Sequence, residues 1–212
     1  MRKGPNPESI FPNGKIKQIC FIKNIIKNPN IIVGDYTYYD DDEGAENFEK
    51  QVTHHYSMLG DKLIIGKFCA IAKGVTFIMN GANHVLNGVS TYPFNIMRNG
   101  WEESTPSITS LPFKGNTVVG NDVWIGQNAT ILPGVTIGNG AIIGANSTVS
   151  KDIPAYAIAV GNPARVVKMR FDAQFIQFLQ ELEWWNWSAE KITANLEPLT
   201  SGNLELIKDL KE

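Results

Sequence analysis

The 212-residue chain holds three histidines. One of them, His84, ends the run Asn80-Gly81-Ala82-Asn83-His84, in which a glycine and two asparagines suit a tight turn. An imidazole titrates at about 6.5 when unperturbed, so at neutral pH it can take a proton from an alcohol and prepare it as a nucleophile. A turn histidine can equally be a satisfied structural group, and spacing alone leaves both roles open. The competing chemistry is a zinc site built from His54, His55 and His84. Adjacent His54 and His55 would point to opposite faces of an extended strand, and no second histidine follows His84 at a spacing that would complete a tetrahedral site. A metal site is therefore not expected, and a general base and a structural turn histidine remain the two readings of His84.

The elements that must carry this histidine are legible in a period of six. Ile65, Ile71 and Phe77 are spaced six apart, and Val119, Ile125, Ile131, Ile137, Ile143 and Val149 resume the spacing. All nine are apolar in a chain that is 43% hydrophobic, which chance gives about 5 times in 10,000. The next position is Gly66, Ala72, Gly120, Gly126, Gly138 and Gly144 in six of the nine cases, where a sharp bend needs little bulk. Small or short residues recur four places after the start, among them Cys69, Val75, Val123, Ala129 and Ser147. Six residues make one short strand and one turn, and three such units close a triangular coil stacked about 4.8 Å above the next. A parallel β-helix over residues 31–163 is predicted, after an N-terminal segment 1–30 and before C-terminal helices in 164–212.

The repeat is broken twice. Between Phe77 and Val119 the in-register positions Asn83, Asn95 and Ser107 are polar, so the chain leaves the coil over about residues 80–115. Loops of that length are functional or disordered, and Tyr92, Phe94, Trp101 and Phe113 favour a packed binding loop. A second insertion, 40–61, opens with the acidic run Asp40 to Glu43, expected as a solvated tip, and ends in Thr53-His54-His55-Tyr56. After Pro163 the period turns helical: Phe171, Phe175, Ile176, Leu179 and Leu182 form a stripe after the N-cap Asp172, Ser188 caps a second helix, and Asn203 to Lys211 is a third. Trp184, Trp185 and Trp187 fall between helices, where core or subunit contacts are expected.

Composition bounds the partners. Twenty-one acids against 19 bases give a net charge of -2, and no basic block marks a nucleic-acid or anionic-membrane surface. A small-molecule partner is expected. No apolar run approaches the length of a membrane span, and Cys20 and Cys69 are too few and too far apart for a disulfide framework, so a soluble, cytoplasmic protein is expected.

The segments VGDYTYYD, IGKFCAIA, FIMNGANH, STYPFN, GNDVWIG, GNPAR and EWWNW, covering nearly the whole chain, resemble the xenobiotic branch of the hexapeptide-repeat acyltransferases. Within that branch NGANH, THHY and the length are most similar to the virginiamycin (streptogramin A) acetyltransferases, with the chloramphenicol acetyltransferases of the same type as the alternative. The resemblance implies that the coils are left-handed and that the protein is a trimer, with acetyl-CoA as acetyl donor lying along the coils between two subunits. It implies O-acetylation of an antibiotic hydroxyl, with His84 as the base. It places the donor against Trp124, Gly126, Gln127, Gly144, Ala145 and Ser147, with Ser150, Lys151, Arg165 and Lys168 at the nucleotide end, where phosphates want cations. An uncharged macrocyclic acceptor calls for aromatic and apolar walls, for which Tyr38, Tyr56, Trp101, Leu111 and Trp124 are the candidates.

Overall fold

The computed structural model describes residues 4–107, 110–208 and 210. After β1 (Ile19–Phe21) the chain winds a first coil of β2 (Ile31–Val33), β3 (Tyr38–Asp40) and β4 (Val52–Thr53), and a second of β5 (Leu63–Ile65), β6 (Ala70–Ala72) and β7 (Thr76–Ile78). A third coil of β8 (Thr117–Val119), β9 (Trp124–Ile125) and β10 (Thr130–Ile131) is followed by a fourth of β11 (Thr136–Ile137), β12 (Ile142–Ile143) and β13 (Thr148–Val149). A part-coil closes the stack, with Ile153 bridged to Ile137 and then β14 (Ala157–Val160), along which β15 (Arg165–Met169) runs antiparallel. The first strands of the coils form one face of the prism, the second strands another and the third strands the last; neighbours from coil to coil are parallel. The fold is a left-handed parallel β-helix.

The hexad residues build its core. All nine register positions point inward and are at most 1% exposed, and each such aliphatic contributes about 1.5–3 kcal/mol relative to exposure. Two further members complete the first coil: Tyr39 pairs in register with Ile71, and Val52 with Phe77. The stretch 40–61 is therefore not one continuous excursion. A 3-10 turn at Ala45–Gln51 buries Phe48 on the core, and the β-branched pair Val52–Thr53 then returns to the prism as its third side. The acidic tip is not purely solvated either, because Lys73 forms ion pairs with Asp41, Asp42 and Glu43.

The corner between the first and second faces repeats one conformation. Tyr36, Phe68, Asp122, Gly140 and Tyr156 each stand two residues before a second-face strand position and have φ of 63°, 59°, 56°, 65° and 58°. An L-residue there costs about 1–2 kcal/mol, offset by stacking: the rings of Tyr36 and Phe68 lie 4.7 Å apart and nearly parallel, and Trp184 packs 4.9 Å from Phe68. The tail closes on this same corner. Residues 164–212 do not begin as a helix: Arg165–Met169 is rich in β-branched side chains and extends as β15. Then come α1 (Ala173–Leu182), α2 (Ala189–Ala194), α3 (Leu196–Thr200) and α4 (Leu204–Lys208). Asp172 caps α1, its carboxylate accepting from the Phe175 N–H at 2.8 Å, and Ser188 caps α2. The expected third helix is present as Leu204–Lys208, and Lys211 lies outside the described residues. Trp185 is buried, and Trp187 carries the Lys191 ammonium 4.2 Å above its ring. No helix among the described residues is long and apolar enough to cross a membrane.

Candidate active site

The long loop leaves the prism after β7 on the third face and returns at β8 on the first, so it springs from the corner opposite the second face. Its root is a 3-10 turn, Asn80–Ala82, followed by Asn83 and the exposed His84. Glycine is required at 81, because a Cβ there would run into the His54 carbonyl and the Tyr56 ring. Tyr56, half exposed, is thereby packed against the turn three residues before His84.

Nδ1 of His84 lies 2.9 Å from the carbonyl oxygen of Thr91. A carbonyl can only accept, so Nδ1 donates, and in the neutral ring the free lone pair is on Nε2. The ring opens onto a cleft of ≈ 450 Å³ whose walls include Val85, Tyr92, Phe94, Ile96 and Leu111. Trp101 stands behind this wall, its ring 5.2 Å from that of Phe94 in an edge-on contact. A fixed neutral imidazole beside an apolar cleft can accept a proton from a hydroxyl carried by an apolar molecule.

The loop's two ends are tied by buried polar groups that the sequence reading passed over. The side-chain amide of Asn80, 2% exposed, donates to the Asp61 carboxylate at 2.9 Å and to the Gly115 carbonyl at 2.8 Å. Its oxygen accepts from the Lys114 N–H at 2.8 Å and from the Asn83 amide at 3.2 Å. Asp61 is fully buried and also accepts from the Asn80 N–H. The available signal was a lone acid between Gly60 and the apolar run Leu63 to Ile65, together with the two asparagines of NGANH, Asn80 and Asn83.

The histidines do not converge. His84 is held by Thr91, His55 donates from Nε2 to the Asp61 carbonyl at 2.8 Å, and His54 sits edge-on to Tyr56 in a left-handed backbone conformation with φ of 54°. Among the described residues no three His, Cys, Asp or Glu side chains group as a metal would require. Burial pushes the thiols of Cys20 up to about 11 and Cys69 up to about 12, with Glu46 assisting at Cys20 and Asp122 at Cys69, so neither is poised as a nucleophile.

A second group of candidates lies on the second face and its edge. Tyr38, Ala70, Trp124, Ile142, Ile158 and Lys168 are register partners in one row across six strands, with Trp124 55% exposed at its centre. Burial, with Asp40 nearby, raises the pKa of Tyr38, so its phenol stays protonated. Gly126, Gln127, Gly144 and Ala145 form the corner where this face meets the third, with Gln127 and Ala145 exposed. The glycines there have a structural cause: a Cβ on Gly126 would collide with the backbone of Gly144 and Ala145, and one on Gly144 with Val160. Ser147 departs from its expected place at the coil edge. It is 1% exposed and its hydroxyl accepts from the Gly161 N–H at 3.0 Å, because it occupies the small inward slot of the hexad.

Thr148 exchanges backbone hydrogen bonds with Gly161 and Ala164, which sets the segment carrying Arg165 beside the strand that ends next to Ser150 and Lys151. Lys151, Arg165 and Lys168 are exposed, and none of them enters an ion pair among the described residues. Small residues at a coil corner, an exposed indole and exposed cations at the far end fit an extended ligand with a thin middle and a polyanionic end. No hydrogen bond or ring contact among the described residues links this group to His84, Tyr56, Trp101 or Leu111.

Residues 116–151 match the family described as bacterial transferase hexapeptide (six repeats). The chain is 50% identical to a virginiamycin A acetyltransferase of Staphylococcus aureus, over 97% of this chain and 93% of that one. It is 63% identical to a probable macrolide acetyltransferase of Lysinibacillus sphaericus, over 76% of this chain and 90% of that one. It is 46% identical to a chloramphenicol acetyltransferase of Klebsiella aerogenes, over 84% and 86% respectively.

Proposed function

The chain belongs to the hexapeptide-repeat xenobiotic acetyltransferases, and from that premise we propose that it transfers acetyl from acetyl-CoA to a hydroxyl of a streptogramin A antibiotic, with His84 as general base. The observation that carries the mechanism is the 2.9 Å contact from His84 Nδ1 to the Thr91 carbonyl, which assigns the lone pair of the neutral ring to Nε2, with His84 lining the cleft. Acetyl-CoA supplies the acetyl group as a thioester. The acceptor proton passes to Nε2 as the new C–O bond forms, and the imidazolium returns it to the departing thiolate. Trp124 and the corner of Gly126, Gln127, Gly144 and Ala145 flank the donor's narrow arm, through backbone atoms where there is no side chain. Lys151, Arg165 and Lys168, with Ser150, meet its phosphates. Tyr38, Tyr56, Trp101, Leu111 and Trp124 enclose the acceptor.

The same reading includes a homotrimer, as the resemblance implies, and one relationship within the chain supports a site shared between copies. Within one chain the loop springs from the corner opposite the row that carries Trp124, so a complete site needs the loop of one copy against the face of the next. Streptogramin A is preferred as acceptor because the 50% identity extends over the loop and the tail, 97% of the chain. A second reading, a chloramphenicol or another hydroxylated xenobiotic as acceptor, is favoured by the 46% and 63% identities to proteins so named. Incubation with acetyl-CoA and each drug in turn, following free thiol and product mass, separates them. Rapid turnover of virginiamycin M and slow turnover of chloramphenicol is the expected result; the reverse order would replace the first reading by the second.

A further inference from the structure

We infer that Asn80, oriented by the buried carboxylate of Asp61, is the positioning residue for His84: a single amide that closes the long loop at both ends and sets where the imidazole stands. The inference rests on the reading of His84 as the base. The amide of Asn80 has two donors and two acceptor positions, and all four are used. The donors go to Asp61 and to Gly115, on the returning end of the loop. The acceptor takes the Lys114 N–H, also on the returning end, and the amide of Asn83, the residue before His84. Asn83 in turn donates to the Pro112 carbonyl at 2.9 Å. Residues 80–83 and 112–115 are thus tied across a loop of some 35 residues through an amide that is itself buried, with its bonds to Asp61 buried and the others partly so; a hydrogen bond lost at a buried group is costly.

Asp61 does more than fill space. It is fully buried, and its Oδ2 receives both the backbone and the side-chain N–H of Asn80, while Oδ1 has no partner among the described residues. Its own backbone carbonyl accepts from His55, which ties the segment 54–61 to Asn28, three residues before β2. A chain of hydrogen bonds therefore runs from Asn28, at the entry to the first coil, through His55, Asp61 and Asn80 to the turn that precedes His84. If only the Asn80 backbone donor needed an acceptor, a small hydroxyl would do. The double acceptance fixes which way the amide faces, and thereby which loop strand it holds.

Displacing a general base by about 1 Å costs about a hundredfold in rate. Asn80→Ala is expected to lower kcat between about tenfold and a hundredfold while the KM for acetyl-CoA stays within about twofold, since the clamp bonds to none of the residues assigned to the donor. Asp61→Asn keeps an oxygen to accept both Asn80 donors and should retain most of kcat, whereas Asp61→Ala should behave like Asn80→Ala. Asn83→Ala, at a half-buried position, supplies the same readout should Asn80→Ala not fold. In a His84→Ala background, Asn80→Ala should produce no further loss, because the group it positions is gone. Full kcat in Asn83→Ala and Asn80→Ala, a KM for acetyl-CoA rising in step with the loss, or additive losses in the double variant would each overturn the clamp. If His84→Ala alone keeps full activity, the base reading fails and the clamp with it; if His84→Ala is inactive while the clamp variants are normal, only the clamp fails.

Discussion

Nδ1 of His84 and the backbone carbonyl of Thr91 face each other across 2.9 Å, so the ring is oriented directly by main chain seven residues away. Replacing His84 by Ala removes the proton acceptor and leaves the scaffold intact, because the ring is exposed and packs on nothing in the core. We expect kcat to fall by about 10²–10⁴ with thermal stability unchanged. Initial rates of thiol release and a melting curve check both halves.

What could be read from residue order alone follows the physics of each level. The prism was legible because inward positions demand aliphatics at a period of six, and Ile65 to Val149 obey it. Tyr39 also stands six after Val33, but the detour of Ala45–Gln51 hides the next step to Val52. The last coil was obscured by a shortened turn: Val149 to Ile153 is four residues, and Ile153 still pairs with Ile137. At the site, His84 was legible by type and setting, whereas the Thr91 carbonyl was not, since every residue has one. Ser147 was misread because a small inward residue and a small ligand-facing residue look the same in a sequence.

Trp124 occupies an outward position beside the inward Ile125, and the two substitutions should separate function from stability. Trp124→Ala exposes nothing new, so its effect on stability should stay within about 0.5 kcal/mol, while kcat/KM for acetyl-CoA falls at least about tenfold. Steady-state kinetics with denaturant unfolding test this. An unchanged kcat/KM would remove Trp124 from the donor site.

Ile125→Ala should do the converse. Ile125 is 0% exposed and stacked between Ile71 and Ile143, so truncation leaves a cavity in a closed prism and costs about 2–5 kcal/mol. Ile142→Ala, at the half-buried outward neighbour on the next coil, should cost well under half as much. Urea unfolding of the two variants measures the difference.

Asp122 gives the pH dependence a sign. It stands at a corner with φ of 56°, its carboxylate 3.8 Å from the Arg170 guanidinium. Burial raises its pKa from 3.8 to about 6, and Arg170 only partly opposes the shift, being also committed to the Gly140 carbonyl and lying over the rings of Tyr156 and Phe171. A carboxyl whose folded pKa exceeds its unfolded value stabilises the fold while it is protonated. That contribution is complete below about pH 4 and is lost as pH rises through about 6. At pH 7 the ionised group is therefore a net liability. Asn has nearly the same shape, tolerates the left-handed conformation and carries no charge. Asp122→Asn should thus be more stable than the parent at pH 7 by about 1–2 kcal/mol, with the advantage shrinking to nothing at pH 4. Guanidinium unfolding at the two pH values decides it: an advantage that persists at pH 4, or a loss at pH 7, would show that the Arg170 pair outweighs desolvation at this corner.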